Sequence, residues 1–176
     1  MDKFTAACKA LPVGRGYLSP LQNKMQYAKV RSIFDDCRDK NYTFALGKEE
    51  LDIKKSTPGF FMSPAIIANP PDNARIVQEE PFGPIVPVLT WEDEDDVISR
   101  ANDTDQGLGA TLWCKDPERA ERIASHLEAG SVWVNRGAIP LPTALFGGIK
   151  QSGMGGEWGP LGLTSYCDAR TFHLAK

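Results

Sequence analysis

The feature that most constrains this chain is a stiff corner, Gln78-Glu79-Glu80-Pro81-Phe82-Gly83-Pro84, with the apolar run Ile85-Val86-Pro87-Val88-Leu89 behind it. Pro81 and Pro84 fix their own φ and keep the residue before each out of helical geometry. Gly83 accepts backbone angles that other residues avoid. A helix cannot cross this stretch. The chain must turn here and enter a strand, presenting Glu80 and Phe82 from the edge of a sheet.

Upstream of the corner, residues 1–11 read as a short helix with Phe4, Ala7, Cys8 and Leu11 on one face, broken by Val13-Gly14-Arg15-Gly16. Ser19-Pro20, with Gln22 three residues after the serine, predicts the start of a second helix. That helix runs to about Asp39 and turns Tyr27, Val30, Ile33, Phe34 and Cys37 inward. Nothing in it suggests chemistry. A short strand over Thr43–Gly47, a polar loop over Lys48–Thr57 and a strand from Phe60 to Ala68 follow.

Downstream, Trp91-Glu92-Asp93-Glu94-Asp95-Asp96 is predicted to open a helix, since exposed N–H groups and the macrodipole favour negative charge in a first turn. Ala110 to Cys114 is a strand, and Asp116-Pro117 caps a helix burying Ala120, Ile123, Ala124 and Leu127, with Gly130 as its terminator. His126 falls outside that buried stripe, and Val132-Trp133-Val134 has the continuous apolar character of a central strand. The strand-helix-strand-helix-strand order from Ile85 to Val134 predicts right-handed crossovers and an α/β fold, a mostly parallel sheet flanked by helices.

Ligands of open α/β sheets sit beyond the carboxyl ends of the strands. The loop from Asn135 to Ala144 lies at such an end, which makes Asn135 a candidate on the substrate side. It leads to Phe146-Gly147-Gly148, where a glycine pair lets backbone approach a bound group. No G-x-G-x-x-G or P-loop lysine pattern accompanies it, so a free-standing nucleotide site is not expected.

Charge and length narrow the partners. A formal charge of −3 over 176 residues leaves no basic face for nucleic acid. No apolar stretch approaches a membrane span, and Met1-Asp2-Lys3-Phe4-Thr5 lacks the apolar core of a secretion signal, so the cytoplasm is expected. Cys8, Cys37, Cys114 and Cys167 lie far apart, without metal-type spacing to His126 or His173. No metal site is expected. A nucleophilic thiolate needs a positive or helix-N-terminal setting, which none of the four shows.

Three segments in order, Glu79-Glu80-Pro81-Phe82-Gly83-Pro84, Gly130-Ser131-Val132-Trp133-Val134-Asn135 and Phe146-Gly147-Gly148-Ile149-Lys150-Gln151-Ser152-Gly153, resemble the late part of an aldehyde dehydrogenase. The family reads EE-x-FGP, G-x-V-W-V-N and P-FGG-x-K-x-SG followed by E-x-G. Leu145 stands where the family has proline, and Glu157-Trp158-Gly159 closes the series. Pro58-Gly59-Phe60-Phe61-Met62-Ser63-Pro64 is similar to the family's G-x-F/Y-x-x-P segment, and Met1-Asp2-Lys3-Phe4 to the helix after its nucleophile.

The resemblance implies roles. Glu80 would hold the nicotinamide ribose hydroxyls of NAD or NADP, and Phe82 would lie beside that ribose and ring. Phe146 would line the aldehyde tunnel, and Glu157 would stand near the proton exit. A carboxylate accepts two sugar hydroxyls well, and aromatic walls suit an apolar substrate. The resemblance also implies a Rossmann-like NAD(P) domain, a general-base glutamate and a nucleophilic cysteine earlier in the chain, none of which is found in these residues. Residues 1–163 are therefore expected to form a truncated catalytic domain that is not a self-sufficient oxidoreductase and needs no cofactor of its own. Residues 164–176, alternating from Tyr166 to Leu174, are expected to form an oligomerisation strand, giving a homodimer or larger assembly.

Two alternatives stay open. The old aldehyde crevice could serve a small carbonyl or apolar metabolite such as a polyene in cofactor-free isomerisation, dehydration or cyclisation, with Glu157 and Glu80 as the catalytic acid/base candidates. Or the chain is a fragment of a full NAD(P)-dependent enzyme.

Overall fold

The computed structural model describes residues 1–14, 18–48 and 59–175. They are α/β and gather into two compact units, Met1–Trp91 and Glu92–Lys176. The expected boundary after residue 163 falls inside a helix. Arg15, Gly16, the polar stretch 49–57 and Pro58 lie outside the described residues.

In the first unit, no residue of helix α1 (Asp2–Lys9) is fully buried; on its expected apolar face Phe4 and Ala7 are exposed, and Cys8 and Leu11 are half-buried. Helix α2 (Lys24–Asp39) begins later than predicted. Its cap is Asn23, whose side chain accepts from Gln26 N, rather than Ser19. An asparagine at the turn satisfies the orphan N–H directly, and that outcompetes the Ser-Pro signal four residues earlier. The inward stripe is as read from the spacing, with Val30, Ile33, Phe34 and Cys37 buried.

That stripe packs on a three-stranded sheet of order β1 (Thr43–Leu46), β2 (Ala65–Ala68), β3 (Ile85–Val88). Strand β1 runs antiparallel to β2, and β3 runs parallel to it. The second strand was expected from Phe60, yet its ladder starts only at Ala65. Pro87 is tolerated because β3 is the last strand in this order. A one-turn helix α3 (Arg75–Gln78) buries Ile76 and delivers the chain to the corner.

In the second unit, Asp93 caps helix α4 (Glu94–Asn102), accepting from Asp96 N. The acidic run is thus a cap and first turn. Strands β4 (Gln106–Gly107) and β5 (Gly109–Leu112) lead to helix α5 (Pro117–His126), capped by Asp116. Ala120 and Ile123 are buried, and Glu94 of α4 pairs with Arg119 at 2.6 Å and with Arg122. Strand β6 (Ser131–Val134) runs parallel to β5 with α5 as the crossover. Strand β7 (Ile149–Lys150) pairs antiparallel with β4.

One expectation is corrected here. Helix α5 ends at His126, with Leu127 as its extended C-cap, before Gly130. Gly130 is a glycine for a different reason: a Cβ there would collide with the carbonyl oxygen of Gly147. After helix α6 (Gly159–Thr164) the described tail forms no ladder within this chain. Period-two alternation makes a strand only when another strand supplies hydrogen bonds. Among the described residues no helix is long and apolar enough to cross a membrane.

Candidate functional site

Glu80 and Phe82 belong to the first unit, whereas Asn135, Phe146 and Glu157 belong to the second. Each group is built by its own scaffold.

The corner is held by α2. Gln26 Nε2 donates to Pro81 O at 2.6 Å and to Phe82 O at 3.3 Å, and Lys29 Nζ donates to Glu80 O at 2.9 Å. One turn of helix thus holds three successive carbonyls. Gly83 sits over the same turn, where a Cβ would lie 2.5 Å from Val30 Cγ2. Behind the corner, Arg75 Nε donates to Glu79 at 2.8 Å, and Arg75 Nη1 donates to Ser32 Oγ at 3.1 Å. The Arg75 hydrogen bond, then its charge and that of Lys29, hold the Glu79 carboxyl below its usual range despite partial desolvation. Glu80 is left exposed.

Held this way, Phe82 adopts φ +49° and is 69% exposed. A left-handed backbone at a bulky residue is costly and persists only where the surroundings over-determine it. The proline and glycine pattern foretold the corner. The carbonyl clamp from α2, a helix in which sequence showed no chemistry, was not foreseen, because one glutamine and one lysine on a helix face carry no pattern of their own.

In the second unit β6 supports an apolar pocket of about 300 Å³. Its walls include Trp133 and Val134 from β6 and Pro140, Leu141 and Phe146 from the following loop. Trp133 Nε1 donates to Ile139 O at 3.1 Å, which fixes the indole against that loop. The Phe146 ring packs between Trp133 and Trp158, with centroids 6.5 and 5.9 Å away. Phe146 and Glu157 are joined through backbone alone, Phe146 N to Glu157 O at 2.8 Å and Glu157 N to Phe146 O at 2.9 Å. The Glu157 side chain is exposed.

Asn135 does something the sequence did not suggest. At φ +53° its amide turns back on β5, accepting from Cys114 N at 2.9 Å and donating to Cys114 O at 2.7 Å. Both ends of the amide are used in lengthening the β5–β6 pairing. The Gly147–Gly148 pair likewise approaches protein backbone, with Gly147 pressed against the carbonyl oxygen of Gly155 and Gly148 against that of Ser152.

Cys37 is fully buried, and burial, with a smaller push from Asp36, raises its thiol to about 11. It is a core residue and not a thiolate.

The sequence profile of the aldehyde dehydrogenase family matches residues 1–172. FUS7 of Gibberella moniliformis is 41% identical over 160 residues, covering 90% of this chain and 34% of that protein. Betaine aldehyde dehydrogenase of Bacillus subtilis is 36% identical, covering 96% of this chain and 36% of its own length. The NAD+ complex of aldehyde dehydrogenase from Bacillus cereus superposes with a TM-score of 0.86 at 33% identity, over 94% of this chain and 34% of that one. The chain therefore spans about a third of the length of the relatives it matches.

Proposed function

This chain belongs to the aldehyde dehydrogenase family, and from that premise we propose that it supplies two binding surfaces for NAD(P)-dependent aldehyde oxidation. The first unit offers an edge for the nicotinamide ribose. The second offers an apolar wall for the aldehyde. The observation that carries this reading is Phe82, an apolar ring held outward in a strained backbone two residues from the exposed Glu80.

The residues present fit the cofactor. A carboxylate is an acceptor only and suits a pair of vicinal hydroxyls, and an exposed ring gives a flat apolar neighbour. Glu80 would accept the ribose hydroxyls while Phe82 lies beside ribose and ring. NAD(P), when bound, takes up the hydride of the oxidation. Phe146, set between Trp133 and Trp158, would face the aldehyde. Asn135 would act there by holding the end of β5, its amide being committed to Cys114.

Residues 1–176 are proposed to bind rather than to oxidise, since Cys37 is locked in the core with its thiol raised to about 11. Glu80 and Glu157, the acid/base candidates of the alternative reading, are both exposed. The test is to incubate the purified chain with NAD or NADP and a panel of aldehydes. No sustained nicotinamide reduction is expected, and steady turnover would overturn the proposal.

A further inference from the structure

We propose that the pocket on β6 selects ligands that carry a carboxylate at one end of an apolar chain, with Arg136 as the group that recognises it. The inference rests on assigning this pocket to the aldehyde, and it names the class of aldehyde: one bearing a second, anionic terminus. Among the described residues that line the pocket, Arg136 is the only charged one. The rest of the lining is apolar or aromatic apart from Ser131 and the indole N–H of Trp133, which is spent on Ile139 O.

Arg136 follows Asn135 directly, and the placement matters. Asn135 is anchored to Cys114 by two hydrogen bonds and turned through a positive φ, so the next residue leaves the strand from a fixed point. Trp133 ties the far side of the loop at Ile139. The segment carrying Arg136 is thus pinned at both ends, 135 and 139. Arg136 both lines the pocket and is exposed to water. A guanidinium fork binds a carboxylate through paired N–H donors, while the cavity takes the methylene chain. A cationic terminus would meet repulsion at the same place, and a neutral one would gain nothing from it.

The test titrates the full chain by calorimetry with 8-oxooctanoate, octanal and octylamine. The Trp133 indole N–H is followed by nitrogen-edited NMR to place the ligand. The oxo-acid is expected to bind about fivefold tighter than octanal, the upper end for an exposed charge pair. Octylamine should bind more weakly than octanal. Added salt should shrink the preference in the unaltered protein. Arg136→Gln should bring the oxo-acid down to the level that octanal shows with the same variant, and Arg136→Lys should keep part of the preference. Equal binding of oxo-acid and octanal, or a preference that survives both salt and Arg136→Gln, would overturn the inference while leaving the pocket assigned to the aldehyde. Binding of neither, with the Trp133 signal unmoved, would overturn that assignment and the inference with it.

Discussion

At the scale of single residues, the molecule turns on positions where a side chain is forbidden or is doing backbone work. Gly83→Ala would place a methyl against Val30, and the corner and α2 would have to part. The variant should lose about 1–3 kcal/mol in urea unfolding, as overpacking does. Asn135→Asp keeps the acceptor for Cys114 N but cannot donate to Cys114 O, so about 0.5–1.5 kcal/mol should go there. Cys37 gives a pH signature. Because its folded thiol holds its proton to about 11, native stability is whole below the unfolded value and drains as pH rises through the folded one. Unfolding free energy should fall by roughly 2–3 kcal/mol between about pH 8 and pH 11, and Cys37→Ala should flatten that slope.

At the scale of elements, α2 is both the core helix and the holder of Glu80-Pro81-Phe82. Gln26→Ala removes two hydrogen bonds to the corner without touching the buried stripe. Hydrogen exchange at the Ile85 amide, which donates to Gly83 O at the corner, should speed up by about tenfold, the equivalent of one good hydrogen bond, while exchange within α2 stays as it was. Unchanged exchange at the corner would show that prolines and Gly83 hold it unaided. Helices α4 and α5 were legible because their caps, Asp93 and Asp116, satisfy N–H groups within a few residues. The buried stripe of α2 was legible for the same reason of locality. Gly130 was misread because a glycine after a helix looks like a stop, and only the packing of Gly147 on it reveals the close crossing. Phe146 could be singled out from its motif, whereas Trp158 as its ring neighbour depends on a backbone bridge between Phe146 and Glu157.

At the scale of the whole molecule, burial is uneven. Nearly all fully buried apolar side chains lie in Met1–Trp91, and the second unit contributes only Ala120 and Ile123 among those described. Hydrogen exchange should therefore be slowest in α2 and β2 and faster throughout β5 and β6. The tail leaves Tyr166, Phe172 and Leu174 open, Leu174 at 89%. Exposed apolar side chains gathered in this way favour burial against another chain. Removing residues 166–176 should raise the monomer fraction in sedimentation velocity, and an unaltered distribution would show that assembly, if any, uses other surfaces.

The amide of Asn135 closing on Cys114 has a practical consequence for anyone surveying the cavity by substitution. Because it finishes the floor from which the neighbouring guanidinium is launched, replacing it would blur ligand uptake as surely as replacing Arg136. A scan would flag both positions, and only one of them would be speaking for the ligand.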